Sequence, residues 1–375
     1  MFFAGLLTNL GLCLRGCVQQ TLMPSLLLLS FFASEERAKA RLNIETFSSQ
    51  SDATADASSD KPGPKSVERL ELRQSVDREL AGGQKHKYEL VILEGQYASI
   101  VIEQRGIDVE VNVSEPDSGV ITRIDSEALR YGEERVELVG GKTTGTYTIG
   151  VENKVVGTVA GHYTIRLDEL RSATPKEQSL DEARRLYTEA FSLYWRRLNL
   201  EKAQVLAERS LRIFEDVNGK ENPEFAPILI TLAWIHRLRG ESEFTLPMLE
   251  RALMIRQNAY GPAHLAVADS LNQIGLYWWK LGHYAKAESL NDRVLKIRES
   301  ALGPVDLSVA VTLNNLANIK MSVGNYAAAK PLYKRVLDIR ERLLGQDDKA
   351  IAKSLEELAS TQSISRYVRQ RRART

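Results

Sequence analysis

The sequence predicts two folded parts in series: an antiparallel β-sandwich, followed by an all-α solenoid of repeated helix pairs. Two observations carry this prediction. Glycines recur at Gly219, Gly261, Gly303 and Gly345, each 42 residues after the one before, and the sequence around them repeats as well. A fixed period of this length is typical of stacked repeats. Upstream of the repeats, apolar and polar residues alternate with a period of two between turn signals, which is typical of β-strands.

The first 40 residues contain two apolar runs, residues 1–14 and 22–33. Each run is short for a membrane-spanning helix, which needs about 20 residues. The second run suits the core of a signal peptide, so residues 1–40 are predicted to be an export signal or membrane anchor. This predicts an exported protein of the bacterial envelope, with membrane association through the N-terminal segment. A mis-set start codon is the alternative, and it predicts a cytoplasmic protein.

Residues 41–72 are rich in Ser, Asp and Ala, which is typical of a flexible linker. Residues 73–171 then alternate in polarity, as in Tyr88, Leu90 and Ile92. The same alternation recurs at residues 109–113, 147–151 and 163–167. Glycine-containing turn signals separate these runs. About seven short strands at this spacing favour an antiparallel sandwich.

Residues 176–360 carry two helical patterns in each period. On the first helix of each pair, apolar residues recur at i, i+3 and i+4, a spacing that places them on one helix face. These columns are Leu229, Leu271, Leu313 and Leu355, then Leu232, Ile274, Leu316 and Leu358, then the small residues Ala233, Gly275, Ala317 and Ala359. Gly240, Gly282 and Gly324 follow them, where a left-handed residue would end the helix.

The last segment, residues 361–375, is predicted to be a basic tail in which the order of the last repeat is lost. It contains Arg366, Arg369, Arg371, Arg372 and Arg374. A patch that binds nucleic acid or anionic lipid is the alternative interpretation of this charge. The net charge of the whole chain is +1, so no overall attraction to nucleic acid is expected and none is predicted as a partner.

The residues needed for catalysis or metal binding do not occur in recognisable patterns. The two cysteines, Cys13 and Cys17, lie in the N-terminal segment, and none of the five histidines has a ligand spacing with another His, Cys or carboxylate. No glycine-rich phosphate loop and no nucleophile–base motif is present. We therefore expect no enzyme activity, no cofactor and no metal. Asp108 and Asp117 could ligate calcium at the edge of the sandwich, with turn capping as the alternative.

The repeated part resembles the tetratricopeptide repeat in its 42-residue, kinesin-light-chain form. Residues 270–275 (SLNQIG) and 312–317 (TLNNLA) carry the resemblance, which extends over about residues 180–358. The resemblance implies stacked helix pairs whose first helices line a concave groove for a protein or an extended peptide. It also implies that Asn272 and Asn314 hydrogen-bond the backbone of that peptide.

The sandwich segment resembles the pre-peptidase-like β-domain at the front of bacterial CHAT proteins. Residues 93–97 (LEGQY), 101–109 (VIEQRGIDV) and 145–147 (GTY) carry this resemblance. In that family, tetratricopeptide repeats and a caspase-like protease domain follow the β-domain. The protease domain would begin beyond Thr375, so no catalytic residue is carried over to this sequence.

The function predicted from these observations is a non-enzymatic scaffold that binds a protein or an extended peptide in the groove. Positions on the first helices that the packing does not use supply the candidate site. They are Ile230, Trp234, Arg237, Asp269, Asn272, Leu276, Trp279, Val311, Asn314 and Asn318. A neighbouring repeat that covers these residues is the structural alternative. The functional alternatives are the regulatory half of a CHAT protease and an envelope protein that binds carbohydrate through its sandwich.

Overall fold

The computed structural model describes residues 67–107, 109–116, 121–124, 131–141, 144–153, 160–344 and 348–372. The predicted export segment, most of the predicted linker, and both candidate calcium ligands, Asp108 and Asp117, lie outside these residues. The sheets and helices described below belong to one compact unit, Pro64–Thr375. No helix in the described ranges is long and apolar enough to cross a membrane.

The described residues before Ala173 form two β-sheets. The strands are β1 (Glu68–Arg69), β2 (Ser75–Leu80), β3 (Lys85–Ile92), β4 (Gln96–Arg105), β5 (Glu110–Ser114), β6 (Ile121–Ile124), β7 (Tyr131–Val139), β8 (Gly145–Glu152) and β9 (Gly161–Ser172). One sheet has the order β1-β3-β8-β5-β6 and the other the order β2-β9-β4-β7. All pairs are antiparallel except β1 with β3. The predicted sandwich is confirmed.

The core of the sandwich lies between the inward faces of the two sheets. Tyr88, Leu90 and Ile92 of β3 are all buried, as their alternation predicts. The sandwich begins earlier than predicted, because β1 lies within the segment expected to be a linker. There Glu68 pairs with Tyr88, and Leu70 just after the strand is buried. A two-residue strand is too short to show any alternation in the sequence.

Nine helices follow within the described residues. They are α1 (Pro175–Arg196), α2 (Leu200–Asn218), α3 (Ala226–Leu238), α4 (Thr245–Tyr260), α5 (Leu265–Lys280), α6 (Tyr284–Leu302), α7 (Leu307–Ser322), α8 (Tyr326–Leu343) and α9 (Lys349–Arg372). Odd-numbered helices are the first members of pairs, and even-numbered helices are the second members. Gly240, Gly282 and Gly324 have φ values of 88°, 78° and 75° after α3, α5 and α7, which confirms the predicted left-handed stops.

Buried arginines on α4, α6 and α8 fasten each of these helices to the first helix that follows it. Arg298 of α6 donates from Nη1 to Ser308 O at 3.0 Å and to Thr312 Oγ1 at 2.9 Å, both on α7. Its Nη2 donates to Asp269 of α5 at 2.5 Å. Arg256 and Arg340 make the same two Nη1 bonds one period before and after, to Ala266 O and Ser270 and to Ala350 O and Ser354. We call Arg256, Arg298 and Arg340 the clasp arginines.

The sandwich and the first helix are joined by ion pairs. Arg185 of α1 donates to Val139 O at 3.1 Å and lies 2.8 Å from Glu115. Arg184 pairs with Glu137 of β7 at 2.9 Å. At the start of α1, Thr174 and Glu177 form a reciprocal cap. Arg171 bonds the Glu177 carboxylate and lowers its pKa to about 2. Glu177 therefore stabilises the cap above its ordinary pKa of 4.5, and this contribution is lost as the pH falls towards 2.

The predicted loss of order in the basic tail is wrong for the described residues, because α9 continues as a helix to Arg372. Arg366 stands where Gly324 and Gly282 end the earlier first helices, so the left-handed stop is missing. No second helix after α9 is described. As a result Leu355 is 49% exposed, although Leu313 in the same column is 1% exposed beneath α8.

Candidate functional site

The first helices of successive pairs lie side by side and form one surface, which we call the A-helix face (α1, α3, α5, α7 and α9). Side-chain hydrogen bonds join each of these helices to the next. In chain order they link Tyr187 to Thr231 at 3.2 Å, Trp234 to Gln273 at 2.9 Å, Asn315 to Asn272 at 2.9 Å, and Thr361 to Met321 Sδ at 3.6 Å. The predicted site residues lie on α3, α5 and α7, in the middle of this face.

Eight of the ten predicted site residues keep some exposure. Asp269 has the most open side chain, 51% exposed. The others are half-buried: Ile230, Arg237, Asn272, Leu276, Trp279, Val311 and Asn318. The structure therefore brings these residues together on one face of adjacent helices, as the repeat pattern predicts.

Two predicted site residues are not accessible, which corrects the expectation that they face a ligand. Trp234 is 8% exposed and packs with Ile274 and Tyr277 of the next pair. Its Nε1 donates to Gln273. Asn314 is 6% exposed, and its Oδ1 is buried without a hydrogen-bond partner. The neighbouring helices cover both side chains.

The half-buried pair Asn272 and Asn315 is the central polar feature of the face. Asn315 Nδ2 donates to Asn272 Oδ1 at 2.9 Å across the α5–α7 boundary. A primary amide has two donor hydrogens and two acceptor lone pairs, so one mutual bond leaves both amides with unused capacity. Together they can offer a donor and an acceptor to the N–H and C=O groups of an extended backbone.

Apolar surface flanks this amide pair. Leu276 is half-buried against the Trp234 cluster, and the half-buried Trp279 donates from Nε1 to Ser322 Oγ at 3.2 Å. The amphipathic ring of a tryptophan suits a binding surface, because its apolar body packs while its N–H is satisfied. Cations border the surface, since Arg237 lies 5.7 Å from the Tyr277 ring centroid and Lys280 lies 5.9 Å from that of Trp234.

Side chains of the second helices hold two polar residues of the face in place. The carboxylate of Asp269 accepts from the clasp arginine Arg298, and Asn318 Oδ1 accepts from Tyr333 OH at 2.5 Å. Burial raises the pKa of Tyr333, so its hydroxyl stays protonated and remains a donor. The described residues contain no group of three His, Cys, Asp or Glu side chains that could hold a metal ion.

The sequence analysis missed Gln273 and Asn315, which contribute to the face. The signal was present, because these two amides are also one period apart, directly beside the Asn272 and Asn314 column. Adjacent residues of an α-helix differ by about 100° in direction, so the packing decides how far each of two neighbouring columns is exposed. The packing of the helices selects Asn315 over Asn314 on α7.

Comparisons with known proteins agree with this architecture. Tetratricopeptide repeat models match residues 242–300 and 309–348. No curated protein matches the chain. Tetratricopeptide-like repeats of a kinesin light chain from Podospora anserina are 20% identical, with a TM-score of 0.42 over 51% of this chain and 93% of that one.

Two further solved structures are similar to parts of the chain. Aspartyl phosphate phosphatase F from Bacillus subtilis is 16% identical, with a TM-score of 0.40 over 52% of this chain and 53% of that one. The pre-peptidase C-terminal domain of a collagenase from Bacillus anthracis is 16% identical, with a TM-score of 0.24 over 29% of this chain and 100% of that one. Over residues 242–300 and 309–348, the chain therefore carries tetratricopeptide repeats.

Proposed function

We propose that this protein is a non-enzymatic scaffold whose A-helix face binds an extended peptide segment of a partner protein. The observation that carries the proposal is the accessible amide pair, Asn272 with Asn315, beside the apolar side chains Leu276 and Trp279. Amides that both donate and accept suit a peptide backbone, and neighbouring apolar side chains suit the peptide's own side chains.

The amide pair gives the sharpest test of this site. Asn272→Ala combined with Asn315→Ala is expected to weaken peptide binding by ~1–3 kcal/mol, because the peptide's backbone groups lose their partners. The melting temperature should change little, since the two amides bond each other and both are removed together. Peptides selected from a random display library on the purified full-length chain supply the ligand, and calorimetry measures the affinities.

A matched control tests whether weaker peptide binding is specific to the A-helix face or follows from the removal of any asparagine. Asn258 is an exposed asparagine on α4, a second helix, and Asn258→Ala should leave the affinity unchanged. If the library yields peptides whose affinity is the same for the double variant and the wild-type chain, the binding site lies elsewhere.

More specifically, we propose that the chain is the regulatory half of a CHAT protease. It is supported by the order of the β-sandwich and the repeats, together with the sequence resemblance of residues 93–97 and 101–109. The coding sequence downstream of Thr375 tests it. A caspase-like domain with its His and Cys in that reading frame supports the regulatory role, and unrelated sequence there contradicts it.

We also propose that residues 1–40 direct the chain out of the cytoplasm. The support is the apolar run at residues 22–33, which a repeat protein does not need for its own packing. Residues 1–45 fused to a reporter enzyme that is active only outside the cytoplasm should give activity. A stably expressed but inactive fusion would favour the mis-set start codon instead.

A further inference from the structure

The last described helix buries a carboxylate that has no hydrogen-bond partner. Both carboxylate oxygens of Glu357, on α9, are buried and unpaired. Glu357 stands one period after Asn315 and two periods after Gln273, which bond across to the preceding first helix. At this position α9 therefore presents an acid where α5 and α7 present amides.

The surroundings of Glu357 contain charged and polar groups from two helices. From α8 come Tyr333 and the clasp arginine Arg340, whose Nε is buried without a hydrogen bond. Lys353 and Glu356 lie one turn or less away on α9 itself. On α7 the residue equivalent to Asn272 is Asn314, which is uncharged and has a buried, unpaired Oδ1.

The last clasp arginine, Arg340, also differs from Arg298 in its bonding partners. Arg298 has a directly bonded carboxylate, Asp269, on the face of α5. The equivalent residue on α7 is Val311, so Arg340 has no such bond from that helix. Glu357 is near enough to attract Arg340 electrostatically, yet it makes no hydrogen bond to it.

Burial and the neighbouring cations have opposite effects on the charge of Glu357. An ionised carboxylate buried without hydrogen bonds is unfavourable, whereas a protonated carboxyl carries no charge and can donate one hydrogen bond. Burial is the largest influence on Glu357 and raises its pKa, while Lys353 and Arg340 oppose the rise. The protonated form is therefore the one that the folded site favours.

We propose that α9 is an acid-tightened latch, which docks onto α8 more firmly when Glu357 is protonated than when it is ionised. The contribution is fully present below the ordinary carboxyl pKa of 4.5 and is lost as the pH rises through the raised pKa in the folded chain. The latch does not rest on the proposed peptide site, because the candidate site residues lie on α3, α5 and α7 and not on α9.

Hydrogen exchange of the α9 backbone amides in the full-length chain measures the docking. Protection factors, with α6 as the internal reference, are expected to rise between pH 7.5 and pH 4.5, by roughly tenfold for each unit of pKa elevation. Glu357→Gln should be well protected at pH 7.5 and should lose the pH dependence. Glu356→Gln removes an exposed acid from the neighbouring position and should behave as the wild-type chain.

Three results would overturn the latch. If Glu357→Gln loosens α9 at pH 7.5, ionised Glu357 is a stabilising counter-ion of Arg340. If the protection of α9 in the wild-type chain does not rise on acidification, or if Glu356→Gln abolishes the rise, Glu357 does not control the docking.

Discussion

Leu316→Asp is expected to lower the free energy of unfolding by at least ~3 kcal/mol, because it puts an unpaired charge into a packed interface. Leu316 lies on α7 and is buried, in the same column as Leu232 and Ile274. Each repeat contacts mainly its neighbours, so the damage should centre on α7 and the helices packed against it. The β-sandwich, with its own core, should keep its strands.

Chemical and thermal unfolding followed by circular dichroism measure this effect. Leu316→Met is the matched control, because it conserves volume and polarity and should cost less than ~1.5 kcal/mol. An unfolding curve for Leu316→Asp that coincides with the wild-type curve would contradict the packing of α7 described above.

Arg298→Ala is expected to cost about 2–3 kcal/mol of stability. The buried guanidinium bonds Ser308 O, Thr312 Oγ1 and Asp269, and hydrogen bonds to charged groups contribute about 1.5–3 kcal/mol net of the bonds to water that they replace. Removal also leaves space between α6 and α7. The loss is smaller than for a fully buried ion pair, because Asp269 is half exposed and its charge stays hydrated.

A second arginine on the same helix supplies the control. Arg293 is exposed, and its hydrogen bond, to Pro262 O, is long, at 3.5 Å. Arg293→Ala should therefore change the free energy of unfolding by less than about 0.5 kcal/mol. Equal losses for the two variants in urea titrations would show that the clasp arginines do not fasten successive pairs.

Most of the fold could be predicted from the sequence, because its signals are local and repeated. Strand alternation around Tyr88, Leu90 and Ile92 and the column of Leu229, Leu271 and Leu313 both describe one face of a regular element. The ends of elements were harder to predict. The short β1 lacks any alternation, and α9 continues because Arg366 replaces the glycine that stops the other first helices.

For the clasp arginines, the sequence shows the repeat and only the packed structure shows the burial. Their period of 42 residues is visible in the sequence at Arg256, Arg298 and Arg340. Arginine is usually an exposed residue, so the pattern alone predicts a solvated face. The structure buries all three, and carbonyl and hydroxyl groups at the start of the following first helix accept hydrogen bonds from their Nη1 atoms.

The sequence by itself determined the two-part architecture, the 42-residue helix pairs and the three helices that carry the candidate site, because these depend on periodic patterns of polarity. Only the tertiary structure decided which members of the site are accessible. Asn314 and Asn315 are both amides in repeated columns, and Trp234 and Trp279 are both tryptophans on first helices. Asn314 and Trp234 are buried while Asn315 and Trp279 keep some exposure, because the rotation and spacing of neighbouring helices are set by contacts distant in sequence.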